Sequence, residues 1–219
     1  MKYIIANWKA HKTLDEANEW MAQFVKNDFS EIKDEFKIII AAPFHTLESV
    51  KRVTDQYTFM QVASQDISQF EIGAYTGEVC AQMLYGLVEY SVIGHSERRK
   101  LFNESNEMIH QKAKYAKTFG IEPIVCVRSN EDTIPAHTKI VVYEELSSIG
   151  NGNNESIENV LNMQKSIDPQ NKYSFLYGGS VNEDNVADYI SHDSIAGVCI
   201  GTASINPQEF YATIKAALL

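Results

Sequence analysis

The chain has 219 residues, 44% of them hydrophobic and 22% charged, enough to bury a full core within one domain over 1–219. A formal net charge of -10 argues against nucleic acid or an anionic membrane as the main partner. Cys80, Cys126 and Cys199 are odd in number and far apart, which reads as reduced thiols in a cytoplasmic protein rather than a disulfide or zinc framework.

The opening MKYIIANWKA holds too short an apolar run for a signal or membrane segment. Its YIIA (3–6) reads as a strand. Residues 13–24 follow as a helix, with Thr13 at the N-cap and Glu16 at the capping-box spacing. FKIIIAA (36–42), FMQVA (59–63) and YSVI (90–93) are the next three strands. SNEMIHQKAKYAKTFG then makes a helix that stops at Gly120, before the strands EPIVCV (122–127) and KIVVY (139–143). SIENVLNMQKSI is a helix, YSFLY (173–177) and GVCI (197–200) are strands, and NPQEFYATIKAALL closes the chain as a helix. The short, β-branched strands suit a parallel sheet buried on both faces.

Eight strands alternating with helices predict a (β/α)8 barrel, whose chemistry sits on the loops after the strands. A doubly wound open sheet is the alternative, but its glycine-rich turn after the first strand is absent. The fifth crossover is anomalous. Residues 128–138, with Pro135 among them, are close to the shortest parallel connection. A loop or single turn is expected there, with a thin barrel wall on that side.

Polar residues recur after the strands. Asn7 and Lys9 follow the first, Gln65 and Asp66 the third, His95 and Glu97 the fourth, and Glu144 the sixth. GGS (178–180) follows the seventh and GTAS (201–204) the eighth. Each has an ordinary explanation taken singly. Together they converge on one mouth of a parallel barrel.

The motifs NWK (7–9), GAYTGE (73–78), VIGHSERR (92–99), YE (143–144) with IGNG (149–152), YGGS (177–180) and GVCIGTAS (197–204) stand in that order. In them the chain resembles the triosephosphate isomerase family over essentially its whole length. The resemblance implies a TIM barrel that interconverts dihydroxyacetone phosphate and glyceraldehyde 3-phosphate through an enediolate, without metal or organic cofactor. Glu144 corresponds to the base and His95 to the electrophile, at the start of a short helix in HSERRKLF. Lys9 supplies positive charge and Asn7 a neutral donor. Ser96 and Glu97 hold Glu144 and order Lys9, while Arg98 and Arg99 are structural. Backbone N–H groups of Gly150, Ser180, Gly201 and Thr202 correspond to the phosphate ligands. A homodimer is implied, with Thr76 reaching the partner's site; a tetramer stays open.

The chain departs from the family pattern after Glu144. Glu145, Ser147, Ser148 and Asn153 replace the proline, tryptophan, alanine and lysine of relatives, and CVRS (126–129) replaces Cys-x-Gly-Glu. These changes bear on turnover more than on fold. They leave a catalytically weakened phosphate-binding barrel as the alternative function. Another barrel acting on sugar phosphates is disfavoured by GHSERR.

Overall fold

A computed structural model describes residues 1–144 and 154–218. Eight strands lie in sequence order in a closed, wholly parallel barrel. They are β1 (Lys2–Asn7), β2 (Phe36–Ala42), β3 (Met60–Ser64), β4 (Tyr90–Ile93), β5 (Glu122–Val127), β6 (Ile140–Tyr143), β7 (Ser174–Tyr177) and β8 (Gly197–Ile200). The open-sheet alternative is excluded by the pairing of β1 with β8.

Successive residues of each strand face opposite ways, which splits the core in two. Ile5, Ile39, Val92, Ile124, Cys126, Val142 and Leu176 fill the barrel interior. Ile4, Ile38, Ile40, Val125, Val141 and Phe175 pack outward under the helices.

The helical layer follows local chemistry. In α1 (Leu14–Phe24) the Thr13 hydroxyl accepts from the Glu16 N–H while the Glu16 carboxylate accepts from the Thr13 N–H. This is the expected capping box. Helix α2 (Leu47–Thr54) was not singled out in the sequence, lacking a side-chain cap. Helix α3 (Ser96–Leu101) has His95 as its cap, and α4 (Asn106–Thr118) has Ser105. Helix α5 (Ile157–Ile167) is capped by Ser156. Helix α6 (Val186–Ile190) is short and also uncapped by a side chain. Helix α7 (Pro207–Ala216) starts with Pro207 after an Asn206 cap, where proline's missing N–H costs nothing. Trp20 and Phe24 of α1 stack on Phe210 of α7, closing the helical ring where the chain ends meet.

No helix separates β5 from β6, as expected. Outward-facing Val125, Val127, Val141 and Tyr143 are nevertheless buried. In the connection itself Ile134 packs on the core, and Thr138 donates from its hydroxyl to the Pro135 carbonyl in a tight turn. A short, mostly polar loop stands where the helix is absent.

Among the described residues no helix is long and apolar enough to cross a membrane.

Candidate active site

The carboxyl ends of the strands open into one pocket of about 340 Å³, lined among others by Asn7, Lys9, His95, Glu144, Ser180, Gly201 and Thr202. Residues distant in sequence meet there because parallel strands all end on the same face.

Glu144 follows β6 directly and is 1% exposed. One carboxylate oxygen lies 3.0 Å from His95 Nε2; the other accepts the Ser96 N–H at 2.8 Å. Burial alone would raise its pKa. The His95 contact and the Ser96 N–H outweigh this and hold the carboxyl below the usual range. It is Ser96's main chain, not its hydroxyl, that makes this bond.

His95 caps α3 with its ring, Nδ1 accepting the Glu97 N–H at 3.2 Å. That bond assigns the proton of the neutral ring to Nε2, which can therefore donate into the pocket. Burial lowers its pKa, but the Glu144 carboxylate more than offsets this, with Glu97 adding to the rise. The rise depends on Glu144 staying beside the ring.

Lys9 adopts a left-handed backbone, φ 53, unusual for a residue with a side chain. Asn7 stabilises the turn by accepting the Lys9 N–H on Oδ1 at 3.1 Å, leaving its amide NH2 as the group it can offer a ligand. The Lys9 ammonium meets Glu97 at 2.9 Å. A Cβ on Gly201 would lie 3.3 Å from Lys9 Cε, so a small residue there leaves room for the lysine arm. His95 and Lys9 thus both bond to Glu97, in the first turn of α3.

Ser180, Gly201 and Thr202 also line the pocket. Ser180 has φ 52, whereas Thr202 is not among the positive-φ residues, so its side chain does not strain the backbone there. Gly150, and the substituted positions Glu145, Ser147, Ser148 and Asn153, lie outside the described residues. Thr76 is exposed, away from the pocket lining.

Arg99 is buried and ties strand ends together. Its Nε donates to the Gly94 carbonyl at 2.9 Å, one terminal nitrogen to the Cys126 carbonyl at 3.2 Å, and the other meets Asp132 at 3.4 Å. Asp132 also takes two bonds from the Arg128 side chain, so the divergent CVRS segment has its own ion pair. Arg98 meets Asp66 and Glu104, which share buried Lys112. Burial, only partly countered by Lys112, pushes Asp66 up to about 6.

Several pocket residues escaped the sequence reading. Val181, Asn182 and Ala203 line it beside the expected glycine and serine positions, and Cys199 stands against the interior. Glu209 sets an exposed carboxylate at the rim from the first turn of α7. Cys199 is a buried thiol whose pKa burial and Glu144 push up, so it behaves as a small apolar wall. Glu209 was legible only as an acid in a helix's first turn, which has an ordinary capping explanation. Among the described residues no three His, Cys, Asp or Glu side chains are placed to hold a metal ion.

A closed parallel barrel with a carboxylate, an imidazole and an ammonium around one pocket defines an acid–base enzyme of the (β/α)8 class. The triosephosphate isomerase family profile matches residues 2–217, and the chain belongs to that family. It is 33% identical to the triosephosphate isomerase of Aquifex aeolicus, over 95% of this chain and 96% of that protein. The triosephosphate isomerases of Dictyoglomus thermophilum and Prochlorococcus marinus are each 32% identical, over 98% and 94% of this chain and 98% and 95% of theirs.

Proposed function

We propose that the protein interconverts dihydroxyacetone phosphate and glyceraldehyde 3-phosphate, with Glu144 as the base and His95 as the electrophile. Moving a proton between adjacent carbons needs a carboxylate at carbon and a donor at oxygen. The observation that carries this is the direct Glu144–His95 contact at 3.0 Å, inside a pocket that also holds Asn7 and Lys9.

To reach a carbon, Glu144 must leave His95 and the Ser96 N–H. Losing both donors removes what holds its pKa down, and its basicity rises as the reaction requires. The same departure removes the larger of the two carboxylate influences that raise the His95 pKa, so burial, which favours the neutral ring, weighs more. A neutral Nε2–H donates to the substrate oxygen as the enediolate forms. Lys9 offsets the developing negative charge, and the Asn7 amide adds a neutral donor. Ser180, Gly201 and Thr202, which line the pocket, would offer backbone N–H groups to the phosphate, with Gly150 the fourth by family correspondence. A barrel that only bound phosphate would have no use for Glu144 and His95 in contact, so the weakened-binder alternative is not favoured.

The working form is a homodimer. Supporting this, Phe44, Phe70, Ile72, Tyr75, Leu101 and Phe102 leave large apolar surfaces exposed on the loops after three neighbouring strands, β2, β3 and β4. Thr76 lies on the same apolar loop and would approach the partner's pocket. Three buried cysteines without a disulfide suit a reducing compartment, and cytoplasmic location is part of this proposal.

A coupled assay supplying glyceraldehyde 3-phosphate and reading dihydroxyacetone phosphate tests the activity. Turnover that falls with Glu144→Gln supports it; absence of turnover in the purified wild type rejects it.

A further inference from the structure

Three buried tyrosines, from β6, β7 and α6, converge on one half-buried residue, Glu155. The Tyr143 hydroxyl donates to the Glu155 carboxylate at 3.0 Å. The Tyr177 hydroxyl accepts the Glu155 N–H at 3.0 Å, and the Tyr189 hydroxyl donates to the Glu155 carbonyl at 2.6 Å. Asn154 adds a bond from its amide to the Tyr189 hydroxyl at 2.9 Å. The rings stack in a row, Tyr143–Tyr177 at 6.2 Å and Tyr177–Tyr189 at 4.5 Å between centroids. A buried phenol without a partner costs free energy, so these hydroxyls and Glu155 stabilise one another as a set.

We infer that Glu155 is a positioning residue for the base Glu144, acting through Tyr143; this rests on the function proposed above. Tyr143 immediately precedes Glu144. Its carbonyl accepts the Gly178 N–H at 2.9 Å, while the Glu144 N–H goes to the Val127 carbonyl at 2.8 Å. The backbone on either side of the base is therefore fixed to both neighbouring strands. The outward end of the Tyr143 ring is fixed separately, by the Glu155 carboxylate. Release of that end lets the ring tilt against Tyr177 and Phe175, and the tilt reaches Glu144 across a single peptide unit. A carboxylate base must approach carbon within a narrow geometry, so a small displacement is costly. A glutamate at this position, rather than a smaller residue, supplies the side-chain half of the clamp.

The test compares wild type with Glu155→Ala, Tyr143→Phe, the double variant and Glu155→Gln. Four quantities are read: kcat and KM for triose phosphate isomerisation, the His95 imidazole titration by 15N NMR, and Tm. Each of Glu155→Ala and Tyr143→Phe should lower kcat about ten- to a hundredfold with little change in KM. The double variant should be no worse than the poorer single one, because both remove the same bond. Glu155→Gln, which still accepts the phenol proton, should recover most of the activity. The His95 midpoint should fall in both single variants as Glu144 loosens from the ring. If wild type does not isomerise triose phosphates, the function above fails, and the His95 titration still decides this inference. Variants whose His95 titration is unmoved, or whose kcat is unmoved or falls additively, overturn it, whatever happens to Tm.

Discussion

Nε2 of His95 lies 3.0 Å from Oε1 of Glu144, while the Ser96 N–H holds the other oxygen at 2.8 Å. Both oxygens of the proposed base are thus engaged, and these contacts hold its pKa below the usual carboxylate range. Glu144→Gln keeps the shape but cannot take a proton. It should lower kcat by at least about 10²–10⁴ while glycerol phosphate still binds by calorimetry. Retention of most of the rate would mean that another carboxylate is the base. The neighbouring Glu145→Gln should be mild, since Glu144 already occupies the place beside His95.

Gly178 is where a single methyl group should cost both stability and activity. A Cβ there would lie 2.8 Å from Val142 Cγ1 and 3.5 Å from Glu144 Cγ. Val142 is fully buried in the barrel interior and has nowhere to retreat. Overpacking of this kind costs about 1–3 kcal/mol. Gly178→Ala should therefore lower the urea midpoint and reduce kcat by displacing the base. Unchanged values of both would show that the interior absorbs the methyl freely.

The Asp66–Lys112–Glu104–Arg98 cluster carries a pH dependence of defined sign. Burial raises Asp66 to about 6 in the folded state, against 3.8 for the free side chain. Between those values the unfolded chain has released the proton and the folded one still holds it. Stability from this group is therefore lost as pH rises through that window. The stability of wild type relative to Asp66→Asn should fall from about pH 4 to about pH 6 in denaturant titrations. A rise over the same range would mean that Lys112 and Arg98 outweigh burial and Asp66 stays ionised.

The strands were legible because buried parallel strands are short unbroken apolar runs: 36–42, 90–93, 122–127 and 197–200 coincide with β2, β4, β5 and β8. Helices with a side-chain cap, at Thr13, Ser105, Ser156 and Asn206, were equally visible. Helices α2 and α6 were not, since neither has a capping side chain bonded to its first turn. The pocket residues Asn7, Lys9, His95 and Glu144 could be read because they stand at or just after the ends of strands, where the barrel's geometry gathers them. Glu155 could not. It follows no strand, and its meaning depends on three tyrosyl hydroxyls brought in from three separate elements. The cover at the fifth crossover could not be read for a similar reason, because sequence length says nothing of how Ile134 packs.

The apolar loop after β3 should bind a second copy of the chain. The Ser68 N–H donates to the Val79 carbonyl at 2.9 Å, closing the base of the loop, and Phe70 stacks on Tyr75 with centroids 4.2 Å apart. Asp66, at the start of the loop, pairs with Arg98 and Lys112, and Ile67 is buried in the core, so the loop is anchored to its own barrel at its base. Ile72 is nevertheless 63% exposed at its tip, and Leu101 and Phe102, after the adjoining strand, are 66% and 61% exposed. Apolar surface of this extent gains about 25 cal/mol per Å² when covered. A self-complementary contact is the common way for an enzyme to cover it. Light scattering at micromolar concentration should give twice the chain mass. Ile72→Asp places a charge in the desolvated contact and should shift the population to monomer, with activity falling in parallel if Thr76 serves the partner's pocket. A wild-type protein that is monomeric and fully active at that concentration would remove both the dimer and the role given to Thr76.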